Sequence, residues 1–96
     1  MALEDTYRLG SIRNKAAEAV CERVERLLST REDLCKCETC VLDLVAFTLN
    51  RVSPRYEASL LGSLHPDERR ERRFQVEIDL ALEAGLKRLR RHTHHD

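Results

Sequence analysis

The sequence predicts an all-α fold: three main helices and a loop carrying a cysteine cluster. Three observations predict it. Apolar residues recur at helical spacing in three segments separated by polar breaks. With two Phe, two Tyr and no Trp, the core must come from Leu, Val, Ile and Ala, which suits packed helices. Three Gly and two Pro leave little material for a turn-rich fold of strands. The 96 residues, 42% of them hydrophobic, make one small domain over 1–96, of a size that leans on a metal, a disulfide or a partner subunit. Residues 1–10 read as a loose N-terminal arm and 92–96 as a frayed tail.

The first helix is expected from Ser11 to Ser29. Ser11 serves as its cap, and Ile12, Ala16, Val20, Val24 and Leu27 form its buried stripe. Thr30 to Lys36 breaks the pattern and reads as a loop. The second helix is expected from Cys37 to Val52, stopping before Ser53-Pro54 because the residue preceding proline disfavours helical backbone. Its apolar positions cover most of the circumference, so it should be central, with a narrow polar seam of Thr39, Asp43 and Asn50. Ser53 to Leu64 is irregular, with room for a short extended piece. His65-Pro66 opens the third helix, where Pro66 fits the first turn and Asp67 and Glu68 suit the positive end of the helix dipole. The charge run Asp67 to Arg73 reads as a solvated face.

The segment from Arg73 onward carries two periods. Phe74, Val76, Ile78, Leu80 and Leu82 alternate as in a strand, while Phe74, Ile78, Ala81, Leu82, Gly85 and Leu89 recur as in a helix. Length favours the helix. It then has a second apolar stripe, Val76, Leu80 and Ala84, which suggests one face for this chain and one for a partner, either another copy or a different protein. Gly85 sits in the main stripe at a propensity cost of about 1 kcal/mol relative to Ala, which a close helix crossing explains.

Lys plus Arg and Asp plus Glu are 17 each, which argues against generic nucleic-acid binding. No apolar run approaches the roughly 20 residues of a membrane span, and the first residues have no apolar signal core, so the expected location is cytoplasmic. Arg outnumbers Lys by 14 to 3. Base composition of the coding sequence accounts for such a bias, but arginine forks also pair with carboxylate, phosphate or a guanine edge.

The densest chemistry is Cys35, Cys37 and Cys40. Three thiols within six residues are not a disulfide framework in a chain without an export signal. Cys37 and Cys40 lie three apart at a helix start, where the helix N-terminus and Lys36 favour thiolates, and converging thiolates suit a structural zinc. Only three ligands are local; His65, a C-terminal histidine, a partner chain or water could complete the shell. Inert thiols and a redox pair of Cys37 with Cys40 are the other readings. Cys21, two turns before the end of the first helix, is too far to join and fits a small buried hydrophobe. Asp43 lacks the paired acid or base of a catalytic carboxylate and is expected to accept a hydrogen bond from Thr39, the cysteine loop or the turn at Arg55-Tyr56. His92, His94 and His95 read as solvated tail.

The stretch CKCETCVLDLVAFTLNRVSPRY, Cys35 to Tyr56, resembles the late competence development protein family (ComFB-like). That family shows a CxCxxC cluster, then a helix containing an Asp and ending in ALNxLPPRY. Cys35, Cys37 and Cys40 match the cluster; Asp43, Leu49, Asn50, Pro54, Arg55 and Tyr56 match the rest. Ser53 replaces the first proline, and the charged 66–73 run is foreign to the pattern. The resemblance implies a small all-helical cytoplasmic homodimer. Among relatives it implies zinc binding through the cysteines, reception of cyclic dinucleotides, and roles in competence, motility and cell-size control.

A cyclic dinucleotide needs arginine forks for guanine edges or phosphates and flat groups for stacking. Arg51, Arg55, Tyr56 and Asn50 gather at the exit of the second helix and are the candidate ligand residues. Plainer roles stand beside these: Asn50 as a helix cap, Arg55 paired with Glu57 or Asp43, Tyr56 in the core. The sequence thus points to a non-enzymatic regulatory protein. It would bind cyclic di-GMP, ahead of cyclic di-AMP, and signal to a protein partner. The alternatives are a helical interaction module in competence or motility with no small ligand, with or without zinc, and a cysteine-based redox sensor.

Overall fold

The computed structural model describes residues 2–58 and 68–91. Three helices dominate: α1 (Lys15–Thr30), α2 (Glu38–Leu49) and α3 (Glu68–Arg91). Two short strands, β1 (Arg13–Asn14) and β2 (Tyr56–Glu57), pair antiparallel, with Arg13 opposite Glu57 and Asn14 opposite Tyr56. Residues Leu3–Asp5 and Leu9–Ser11 form single tight turns ahead of β1. The expected positions of His65, Pro66 and Asp67, and the tail 92–96, lie outside the described residues.

Helix α1 starts four residues later than the periodicity suggests, because Asn14 rather than Ser11 caps it. The Asn14 Oδ1 accepts from the Ala16 N–H at 3.0 Å, while the Ser11 hydroxyl donates back to the Arg8 carbonyl at 2.7 Å. Ile12 therefore precedes the helix and is exposed. Ala16, Val20 and Val24 are buried as expected, but Cys21 is exposed and not a core hydrophobe. It follows Val20 by one position, about 100° around the helix and away from the buried stripe.

Helix α2 spans less than the apolar run. Past Leu49 the chain tightens: the Arg51 N–H donates to the Thr48 carbonyl at 3.0 Å and the Val52 N–H to Leu49 at 3.4 Å. This last turn carries Val52 into the core. Helix α2 is central, packing on both α1 and α3, yet one side stays open, with Leu42, Asp43, Ala46 and Asn50 exposed. Three helices supply only two neighbours, so an almost wholly apolar helix keeps a free edge. Thr48 is fully buried and satisfies its own hydroxyl by donating to the Leu44 carbonyl at 2.7 Å.

Helix α3 resolves the double periodicity in favour of the helix. Phe74, Ile78, Ala81 and Leu82 join Val20, Val24, Leu44 and Val52 in one core. Val76 and Leu80 are 55% and 62% exposed, so these two residues of the second stripe are left uncovered by the described residues. At Gly85 an added Cβ would lie 2.8 Å from Leu44 Cδ1 and 3.2 Å from Phe47 Cδ1. The glycine marks the close crossing of α3 over α2. Residues 68–73 of the charge run are exposed, as expected of a solvated face. Arg23 of α1 ties to α3 by an ion pair with Asp79 and a hydrogen bond to Gln75 Oε1 at 3.1 Å.

Candidate functional site

Two clusters of chemistry sit at opposite ends of α2. The first is the cysteine loop. Cys37 caps α2: its backbone is extended and its Sγ accepts from the Cys40 N–H at 3.5 Å. This turn brings the sulfurs of Cys35, Cys37 and Cys40 within 4.8 Å of one another. Cys40 is buried, while Cys35 and Cys37 are half-buried. All three are free thiols, as is Cys21, which stays outside the cluster on α1. Among the described residues no carboxylate or imidazole joins the group.

At Cys40 the helix terminus and Lys36 do not produce the thiolate that the sequence suggests. Burial first, and hydrogen bonding with Cys35 and Cys37 second, push the Cys40 thiol up to about 12. The buried position therefore favours the neutral thiol until a cation supplies compensating charge. The donor set fits such a cation: three sulfurs converging on one point give three positions of a tetrahedral thiolate site.

The second cluster is the exit of α2, where Asn14 is the organising residue. Its single Oδ1 takes the Ala16 N–H and also the Arg55 N–H at 3.0 Å, while the Lys15 N–H donates to the Arg55 carbonyl at 2.7 Å. The start of α1 and the exit from α2 are thus locked together. Arg55 lies half-buried with its guanidinium 4.5 Å from the centre of the Phe74 ring, and it donates to Glu71 Oε2 at 3.0 Å. Its carboxylate partner is Glu71 of α3, in place of the expected Glu57 or Asp43. Glu57 instead faces Lys15 at 4.0 Å. Tyr56 is 68% exposed, so it is not core packing. Asn50 is exposed, and its backbone N–H closes α2 on the Ala46 carbonyl.

Arg51 is exposed and diverges from Arg55. Its guanidinium lies 5.3 Å from the centre of the Phe47 ring, and Arg88 of α3 lies 5.4 Å from the same centre. Beside them a cavity of about 380 Å³ opens between α2 and α3, lined by Asp43, Leu44, Phe47, Gly85, Arg88 and Leu89. Asp43 faces this groove and, among the described residues, makes no hydrogen bond to Thr39, the cysteine loop or the Arg55-Tyr56 turn. Of the four candidate ligand residues, Arg51 stands at the groove end, while Arg55 and Tyr56 belong to the strand end. Sequence reasoning missed Arg88, Phe47 and Asn14. Arg88 was detectable as the residue one turn beyond the crossing glycine.

No curated protein and no solved structure matches the chain significantly. The family model described as late competence development protein ComFB matches residues 13–93, from the first strand through all three helices. The cysteine-capped helix and the strand-locked exit therefore lie wholly inside the match, and the chain belongs to the ComFB family.

Proposed function

We propose that this chain is a non-enzymatic regulatory protein that receives a cyclic dinucleotide and passes the signal to a protein partner. Membership of a late competence family supplies the setting, a competence-related role. The observation that carries the ligand reading is Arg51. Its guanidinium is exposed, stacked on Phe47, and has no carboxylate partner among the described residues. Such a planar fork is pre-organised for a phosphate or a guanine edge. Asn50 next to it adds a polar edge, and Tyr56 offers an exposed ring at the strand end. Arg55, stacked and ion-paired, holds the turn that presents them.

Cys35, Cys37 and Cys40 would hold a zinc ion at the other end of α2. The metal would supply charge for the thiolates and fix the start of the helix. We further propose a homodimer formed through the exposed stripe of α3. That stripe also favours the second reading, a helical interaction module without a small ligand. Calorimetric titration of the purified protein with cyclic di-GMP and cyclic di-AMP decides between them. Micromolar binding that Arg51→Ala abolishes supports the receptor. No heat and no thermal shift with either nucleotide overturns it and leaves the interaction module.

A further inference from the structure

The arm ahead of β1, residues 2–12, lies outside the family match, which starts at Arg13. The arm is folded: the Tyr7 N–H donates to the Leu3 carbonyl at 3.0 Å and the Ile12 N–H to the Leu9 carbonyl at 3.1 Å. Yet none of its residues is buried, and Leu3 and Tyr7 are 60% and 61% exposed. Four residues apart in one helical turn, these two side chains share a face. Helix α3 shows the same pattern: Val76 and Leu80, also four apart, stand open opposite the core-facing Ile78. At 100° per residue, Arg73 and Glu83 fall with them within about 80° of arc, one before the apolar pair and one after it. The arm carries the opposite charges in the same order, Glu4 just after Leu3 and Arg8 just after Tyr7. All four charged residues are exposed, and among the described residues none of them takes part in an ion pair.

We infer that the arm of one copy docks on the outer face of α3 in a second copy, with Leu3 over Val76 of the partner subunit and Tyr7 over Leu80 of the partner subunit. Laid parallel in this way, Glu4 comes beside the partner's Arg73 and Arg8 beside the partner's Glu83, so both charges are matched. The antiparallel placement sets Arg8 toward Arg73 and Glu4 toward Glu83, two like-charge contacts, and charge therefore selects the register. Each copy carries one arm and one open face, so a two-fold axis exchanges the arms and covers both faces at once. Within one chain the arm is tied into its own turns and leaves the α3 face open, which assigns the covering arm to the other copy. The inference rests on the homodimer reading and deepens it, because it names the segment that covers the stripe.

Sedimentation velocity of the full chain over a dilution series, under reducing conditions, tests the exchange. The samples are wild type, Glu4→Arg, Arg73→Glu, an equimolar mixture of those two variants, the double variant, Leu3→Ser, and Glu25→Arg. Glu25 is exposed on α1, so its reversal controls for net charge. Circular dichroism verifies that each variant keeps its helices. Each single reversal at Glu4 or Arg73 should weaken dimerisation at least about fivefold, since two contacts per dimer turn from attraction to repulsion. Leu3→Ser should weaken it at least about tenfold through lost apolar burial, while Glu25→Arg stays within about twofold of wild type. The mixture separates exchange from every other arrangement. In a dimer of the two variants each arm meets a face of opposite charge, so association returns to within about twofold of wild type. A Glu4→Arg or Leu3→Ser chain that dimerises like wild type overturns the arm contact and leaves the homodimer standing. A mixture as weak as its components overturns the exchange, and rescue in the double variant at the same time would put the arm on its own chain. A wild type that stays monomeric across the series overturns the exchange and the homodimer together.

Discussion

A single amide oxygen, that of Asn14, closes the strand end of the molecule. It caps α1 and fixes the backbone of Arg55 at once. Asn14→Ala should therefore cost more than an ordinary cap, about 2 kcal/mol, since one N–H at a helix start and one at a partly buried turn lose their acceptor together. Urea unfolding measures this, and a loss below about 0.5 kcal/mol would show that water replaces both bonds. The cysteine end makes a different prediction. The Cys40 thiol is raised above its ordinary value of 9.0 toward about 12, so the folded metal-free chain holds a proton that the unfolded chain releases first. Stability is then fully present below pH 9 and declines as the pH climbs from there toward 12. Zinc-loaded protein, with its thiolates already ionised, should show a flatter profile. Melting curves of chelated and loaded protein at about pH 8 and about pH 10 check it, and parallel profiles would contradict it.

At the scale of an element, α3 is decided by one crossing. Replacing Gly85 with Ala gains about 1 kcal/mol of helix propensity but drives a methyl against Leu44 and Phe47, an overpacking cost of about 1–3 kcal/mol. The net expectation for Gly85→Ala is a loss of up to about 2 kcal/mol, read from the urea midpoint. A more stable variant would mean that Leu44 swings aside freely. This crossing was legible in the sequence, because a glycine inside an apolar helical stripe weakens the helix unless a neighbour packs where its side chain would be. The cysteine cluster and the helical nature of α3 were legible too, the first from spacing and the second from length. The start of α1 was not. Ser11 and Asn14 are both good caps, and only the pairing of Arg13–Asn14 with Tyr56–Glu57, a long-range contact, selects the second. Nor was the split of Arg51 from Arg55 legible, since it depends on which rings they stack against.

For the whole molecule the open question is what covers the outer stripe of α3. Val76 and Leu80 project from a helix whose other face is fully used. If a second copy covers them, Leu80→Asp should leave the helical circular dichroism unchanged and shift the sedimentation coefficient from dimer to monomer. A wild type that sediments as a monomer would sink the pairing and give the stripe to another protein. Across the family match at 13–93, the cysteine loop and the arginine-bearing exit are joined by one helix of 12 residues, Glu38–Leu49. No helix among the described residues is long and apolar enough to cross a membrane.

The notch at Gly85 also limits how α3 can respond to anything bound beside it. A slide of one turn, about 5.4 Å, would bring Ala81 or Leu89 opposite Leu44 and Phe47, where a Cβ alone would lie 2.8 Å from Leu44 Cδ1, so those two side chains would have to move first. Translation along α2 is therefore opposed, much as a pawl opposes a ratchet. Rocking about the glycine would leave that crossing in place. Arg88 lies one turn to one side of that pivot, and Leu80 lies five residues to the other. If α3 rocks as a rigid rod, a small pull on the short arm would be returned as an opposite swing of the outward-facing Leu80 and Val76.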